Sequence, residues 1–173
     1  MITIEDLLAL SPELRAFGAR PEMDPLTEED ALQEAQLLDV RFDALRSTVG
    51  LLFELRLALQ LREGNTGVLV AHGVRDLSWT AGSRSTKLTA WTVGGSTPQN
   101  RNNMFGLKFG MWPEPGAQLR LVAQRAAFFT GDVPHLADAP PNYVEDDDST
   151  IRAGLANWRS KFVPIHAVFL DPP

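Results

Sequence analysis

The sequence predicts an α+β fold: a mainly antiparallel, curved or partly closed sheet of about seven hairpin-joined strands, with two or three short helices at the chain ends. Three observations carry this. Val49, Leu51, Phe53, Leu55, Leu57, Leu59 and Leu61 hold every odd position of one run, with Thr48, Glu54, Arg56, Gln60 and Arg62 among the even ones. That is the period of a long strand with one buried and one wet face. Phe105, Leu107, Phe109 and Met111 alternate in the same way, and Leu119 and Leu121 return on the same parity after Pro113-Glu114-Pro115-Gly116. Helical spacing, in contrast, is confined to the first 36 residues and to the stretch after Asp148.

Taken in order, Thr3 and Asp6 form a capping box ahead of Leu7, Leu8 and Leu10, with Pro12 or Gly18 as stops. Thr27 caps a second predicted helix whose first turn holds Glu28, Glu29 and Asp30 and whose apolar stripe is Ala31, Leu32 and Ala35. Leu38, Val40 and Phe42 then alternate with acids and Arg41, a strand leading into the long one. Gly64-Asn65 suits a two-residue turn that pairs Leu61 with Val68, Leu59 with Val70 and Leu57 with His72. Gly73 breaks the alternation and predicts a bulge or bend.

A further hairpin centred near Ser85 sets Trp79 opposite Trp91. Gly94–Asn103 reads as an exposed loop. In the hairpin after it, the register that pairs Phe109 with Leu119 also faces Lys108 with Arg120. Ile151, Leu155 and Trp158 space as a short helix, and 162–170 reads as a last strand that Pro164 limits to an edge or a start. The chain is expected to form a single domain over 1–173: a helical segment 1–36, the sheet 37–130, and an acidic loop, short helix and final strand over 131–173.

Composition excludes several classes. There is no cysteine, so disulfides, thiolate metal sites and thiol nucleophiles are out. A net charge of −6 disfavours nonspecific binding to nucleic acid or to an anionic membrane. The start lacks a basic, then apolar, leader, and no run reaches the length needed to span a bilayer, so a cytoplasmic location is expected. Nucleophile elbows, phosphate loops and dinucleotide fingerprints are missing, which argues against catalysis by the familiar routes.

His72, His135 and His166 lie at no metal-binding spacing, and no cofactor is expected. The run Glu145-Asp146-Asp147-Asp148 lacks the alternation and glycine of a calcium loop and reads better as the start of a helix. Charge is segregated. Eight acids against Arg41 alone occupy 22–43, and six acids with no Lys or Arg occupy 132–148. Seven cations lie between Arg75 and Arg125 against Asp76 and Glu114.

The facing Lys108 and Arg120 need an anionic neighbour, for which the acidic tail or a helix laid over the strands is expected, or else a bound partner. Trp112 and Tyr143 are the expected surface anchors. Candidate binding residues are therefore Trp112, Tyr143, Lys108, Arg120, Asp146, Asp147 and Asp148. The function these features suggest is a noncatalytic binding module, such as a small acidic inhibitor or immunity-type protein engaging a basic protein partner. A small-molecule binder using an aromatic concave face is the first alternative, and an enzyme using His72, His166 and a carboxylate such as Asp76 the second. Self-association remains open.

Overall fold

The structure is a computed structural model that describes residues 1–16, 19–83 and 86–171. Gly18 and the turn at Ser85 named above, with Arg84, one of the seven cations, lie outside the described residues. The fold is mostly one antiparallel sheet of eight strands with few helices. The strands are β1 (Ile2–Thr3), β2 (Gln36–Asp43), β3 (Thr48–Glu54), β4 (Thr66–Ala81), β5 (Trp91–Pro98), β6 (Phe105–Trp112), β7 (Ala117–Asp132) and β8 (Lys161–Leu170). The helices are two 3-10 segments, Ile4–Ala9 and Pro12–Ala16, and α1 (Asp148–Ala153).

The pairing order is β1-β8-β7-β4-β3-β2-β5-β6, and β6 also pairs with β7. Strands β2 to β7 thus close on themselves. The weakest seam is β2–β5, joined only at Gln36↔Thr92 and Leu37↔Trp91. One edge of β7 serves two neighbours in turn, β6 against Ala117–Ala123 and β8 against Ala126–Asp132.

Closure makes two apolar layers. Inside lie Val49, Leu51, Phe53, Leu69, Phe105, Phe109, Leu119 and Phe128, with Leu26, Leu32, Leu55 and Leu61 added from the loops. Outside, Leu52, Val68, Val70, Ala127 and Phe129 are covered by Ile4, Leu7, Leu14, Ala156 and Phe162. Every residue of β3 is consequently buried, which is why Leu51-Leu52-Phe53 is unbroken by a polar residue. Phe53 stacks obliquely on Phe109 and Phe128, with centroids 5.9 and 6.3 Å apart. Side chains fill the barrel, as expected for one this narrow.

Several expectations are corrected. The long strand stops at Glu54, not Leu61, and the hairpin closes at Glu54↔Thr66, so Leu52, Gly50 and Thr48 face Val68, Val70 and His72. Beyond Glu54 the chain turns: Ala58 N donates to Leu55 O at 3.0 Å and Leu59 N to Gln33 O at 3.1 Å. Segment 28–35 is a series of turns and not a helix, because Asp30 and Glu34 adopt positive φ (58° and 64°). The Asp30 carboxylate accepts from Ser96 N at 3.2 Å, and Asp24, not Thr27, holds the entry by accepting from Leu26 N at 2.8 Å. Gly94 to Pro98 belong to β5, leaving only the rest of the expected loop as loop.

Other features match their expectations. Asp6 accepts from Thr3 N at 2.8 Å. Gly73 has φ +66°, and one extra residue follows it in β4 between Val74 and Asp76. Phe109 pairs with Leu119 and Lys108 with Arg120. Trp79 and Trp91 do meet edge to face, 5.7 Å between centroids. Their strands are not neighbours, however; β4 runs beside β3 and β7. Pro164 falls where β8 slips register against β7, between Thr130 and Gly131.

Candidate functional site

The sequence-derived binding residues fall into two groups that the fold keeps apart. Lys108, Arg120 and Trp112 share the outer face of β6 and β7, since Lys108 and Trp112 have the same parity and Arg120 lies directly opposite Lys108. The like-charged pair is offset from within the sheet. Asp76 of β4 approaches Arg120 Nε at 3.5 Å, so neither the acidic tail nor a helix supplies the counter-charge expected from them. Among the described residues Lys108 has no ion-pair partner. Trp112 is 47% exposed.

The second group surrounds α1. Asp147 is the N-cap and accepts from Thr150 N at 2.8 Å and from the Ser149 hydroxyl at 3.0 Å. Those bonds hold its carboxyl below the usual aspartate range. Asp146 accepts from Asn142 N at 2.9 Å, and Asp148 is exposed in the first turn. Gly154 ends the helix at Ala153, so Leu155 and Trp158 follow it outside. The run is thus the start of a helix, and no cluster of three His, Asp or Glu side chains fit to hold a metal occurs among the described residues.

Tyr143 is half-buried beside the floor of this loop, less exposed than its loop position suggested. Burial raises its phenol above the ordinary value of 10.0, and the Glu54 charge adds to the effect. A raised value means the fold favours the neutral phenol. Its contribution is complete below pH 10 and lost as pH rises through the folded-state value. Tyr143→Phe should therefore flatten the decline of melting temperature on going from pH 9 to about pH 11, and an unchanged decline would place the alkaline sensitivity elsewhere.

Beneath Tyr143 lies a feature the sequence concealed. The Glu54 and Arg56 side chains are 1% and 5% exposed, with Nη2–Oε2 at 2.7 Å and Nε–Oε1 at 2.8 Å. The remaining Arg56 donors reach Ala137 O (2.9 Å), Ala139 O (3.0 Å) and Gly154 O (2.7 Å). All five guanidinium N–H groups are used, and one arginine clamps the 132–148 loop and the end of α1 to β3.

That clamp shapes the surface around loop 55–65. Leu55 and Leu61 turn inward, whereas Leu57 and Leu59 are 53% and 46% exposed. The loop is tied on one side to the acidic 22–34 segment through Leu59 N–Gln33 O. On the other side it is tied to the acidic 132–138 stretch through Arg56 and through Asn65 N–Asp132 Oδ1 at 3.1 Å. A cleft of about 530 Å³ runs between Ala58, Arg62, Asp132 and Asp138. Asp132 and Asp138 are exposed along the cleft and Glu63 on the loop itself, with Arg62 the exposed cation there; Glu22, Glu28 and Glu29 are exposed on the 22–34 segment. The sequence signal for this patch is the leucine alternation, which by its period reads as a buried strand face.

The histidines are engaged separately. His72 Nε2 lies 2.8 Å from Leu8 O, and His166 bridges Ala19 O at 3.0 Å and Glu63 at 2.6 Å. They face β7 at Arg125 and Thr130, five positions apart, or roughly 17 Å at strand rise. Asp76 is engaged with Arg120, so the three groups weighed for catalysis are not assembled.

No family model, curated protein or solved structure matches this chain. Among the described residues no helix is long and apolar enough to cross a membrane.

Proposed function

We propose that the protein is a noncatalytic binding module that engages a basic protein partner through the acid-bordered leucines of loop 55–65. The observation that carries this is the exposure of Leu57 and Leu59 on a loop whose backbone is hydrogen-bonded on both sides. Two outward leucines on an ordered loop have no role in the barrel core, and apolar anchors ringed by charge are the usual anatomy of a docking site. The border is acidic and the chain carries a net charge of −6, so a cationic partner is steered in and a nucleic acid is repelled. An inhibitor or immunity-type role, in which the module occupies a basic effector one to one, fits this chemistry.

The test is native mass spectrometry of the protein purified at low salt from its own host, as wild type and as Leu57→Asp/Leu59→Asp. A stoichiometric basic partner is expected with wild type, absent from the double variant, and weakened about tenfold by a tenfold rise in salt. A partner retained by the folded double variant, or bound independently of salt, would overturn the assignment.

A further inference from the structure

The outer face of β4, β7, β6 and β5 carries a recess unrelated to that loop. One register row crosses all four strands: Thr80↔Gln118, Gln118↔Gly110 and Gly110↔Gly95. A Cβ added at Gly110 would meet nothing within 4 Å, so the floor there is open. The indole of Trp112 leans over the neighbouring glycine; a Cβ on Gly94 would lie 3.8 Å from Trp112 Cδ1. The Asp30 carboxylate borders the far side, 3.1 Å from where a Gly95 Cβ would lie. Lys108 and Trp112 flank Gly110 on the same strand face, each roughly 7 Å away at strand rise. The cleft along this row is open to solvent, with a volume of about 600 Å³.

We infer that this recess binds a neutral oligosaccharide, one sugar ring lying on the Gly110 floor against the exposed face of Trp112. The polar groups around it are of three kinds. Gln118 and Thr80 line it and both donate and accept, Asp30 on its border only accepts, and Lys108, two residues along the same strand face, only donates. Hydroxyl groups donate and accept at once, so a polyol ring satisfies all of them. An anionic ligand would face Asp30, and a cationic one Lys108.

The aromatic wall has the matching chemistry, because the C–H face of a sugar ring carries slight positive charge and packs on the negative π face of indole. Other ligand classes fit less well. Extended peptides add to a free strand edge, whereas the floor of this recess, Gln118 and Gly110, lies on strands paired on both sides. A single nucleic-acid strand needs a cationic track and several stacking rings; here Arg120 is already paired with Asp76.

The test is titration of the ¹⁵N-labelled protein with millimolar cellotetraose, maltotetraose and the tetramer of N-acetylglucosamine, with a short oligothymidylate as comparison. The Trp112 indole resonance is identified by its loss in Trp112→Phe. At least one sugar is expected to shift that indole and the amides of Gly94, Gly95, Gly110 and Gln118. Trp112→Ala should lower the affinity roughly tenfold or more. A Cβ at Gly110 meets nothing within 4 Å and valine suits a strand, so Gly110→Val should abolish binding with the melting temperature kept or raised. No shift with any of the three sugars, shifts that survive Gly110→Val, or tighter binding of the oligothymidylate would each overturn the inference.

Discussion

Arg56→Ala should cost about 3–5 kcal/mol in urea unfolding, the range for breaking a buried ion pair by deleting one partner. The side chain ends on Glu54, which is 1% exposed and would be left as a buried charge without its counter-ion. Three carbonyls, at Ala137, Ala139 and Gly154, would lose their donor in the same step. Arg56→Lys should recover little, since an ammonium cannot reproduce a planar five-donor fork. The paired replacement Glu54→Leu/Arg56→Met removes both charges and should be markedly less damaging than Arg56→Ala alone. It should not return to wild type, because the three carbonyls stay unpaired. Amide exchange locates the damage: residues 137–154 should lose protection first, ahead of β6 and β7. A single-variant loss below about 1 kcal/mol would show instead that water replaces the guanidinium freely.

The same arginine marks where the sequence stopped being legible. Odd-position leucines continue past Glu54 to Leu61, and nothing local says that the strand has ended. What ends it is a tertiary fact, the meeting of Arg56 with Glu54 and with carbonyls more than eighty residues away. Gly64 does take the positive φ expected of it, but the two-residue hairpin turn does not form, and the eleven-residue loop in its place does not transmit register as a two-residue one does. Asp30 carries helix-start chemistry, yet it and Glu34 take positive φ while bonding to β5, Asp30 by accepting from Ser96 N and Glu34 N by donating to Val93 O.

Where the link between strands is short, side-chain parity carries across it. Pro113–Gly116 joins β6 to β7 so tightly that parity alone set Phe109 against Leu119 and exposed the Lys108–Arg120 conflict. The bulge beyond Val74 that aims Asp76 at Arg120 could not be placed residue by residue, so the source of the counter-charge was missed. Trp112 was legible as a surface ring for a similar reason, being outward by parity and next to a turn. The recess beside it depends on Gly95 and Gly110 meeting across strands, which no spacing within one segment reveals.

Phe53→Ala should cost about 3–5 kcal/mol by opening a cavity in a packed core. The ring is fully buried between Phe109 and Phe128 on facing strands. Its strand is covered on both faces, by the barrel interior and by the layer that holds Ile4 and Phe162. Neither side can collapse into the void without breaking a register, so little of the loss can be recovered by relaxation.

The informative comparison lies along the same leucine series. Leu55→Ala should also be expensive, about 2–5 kcal/mol, since Leu55 belongs to the inner cluster. Leu57→Ala and Leu59→Ala, two and four residues further on, should change stability by no more than about 0.5 kcal/mol, as exposed positions do. A single long strand would make all four substitutions costly in the same way. A sharp break between Leu55 and Leu57 identifies the point at which one hydrophobic pattern passes from building the core to presenting a surface. If Leu57→Ala proved as damaging as Phe53→Ala, that leucine would belong to the core and the docking surface would lose its anchor.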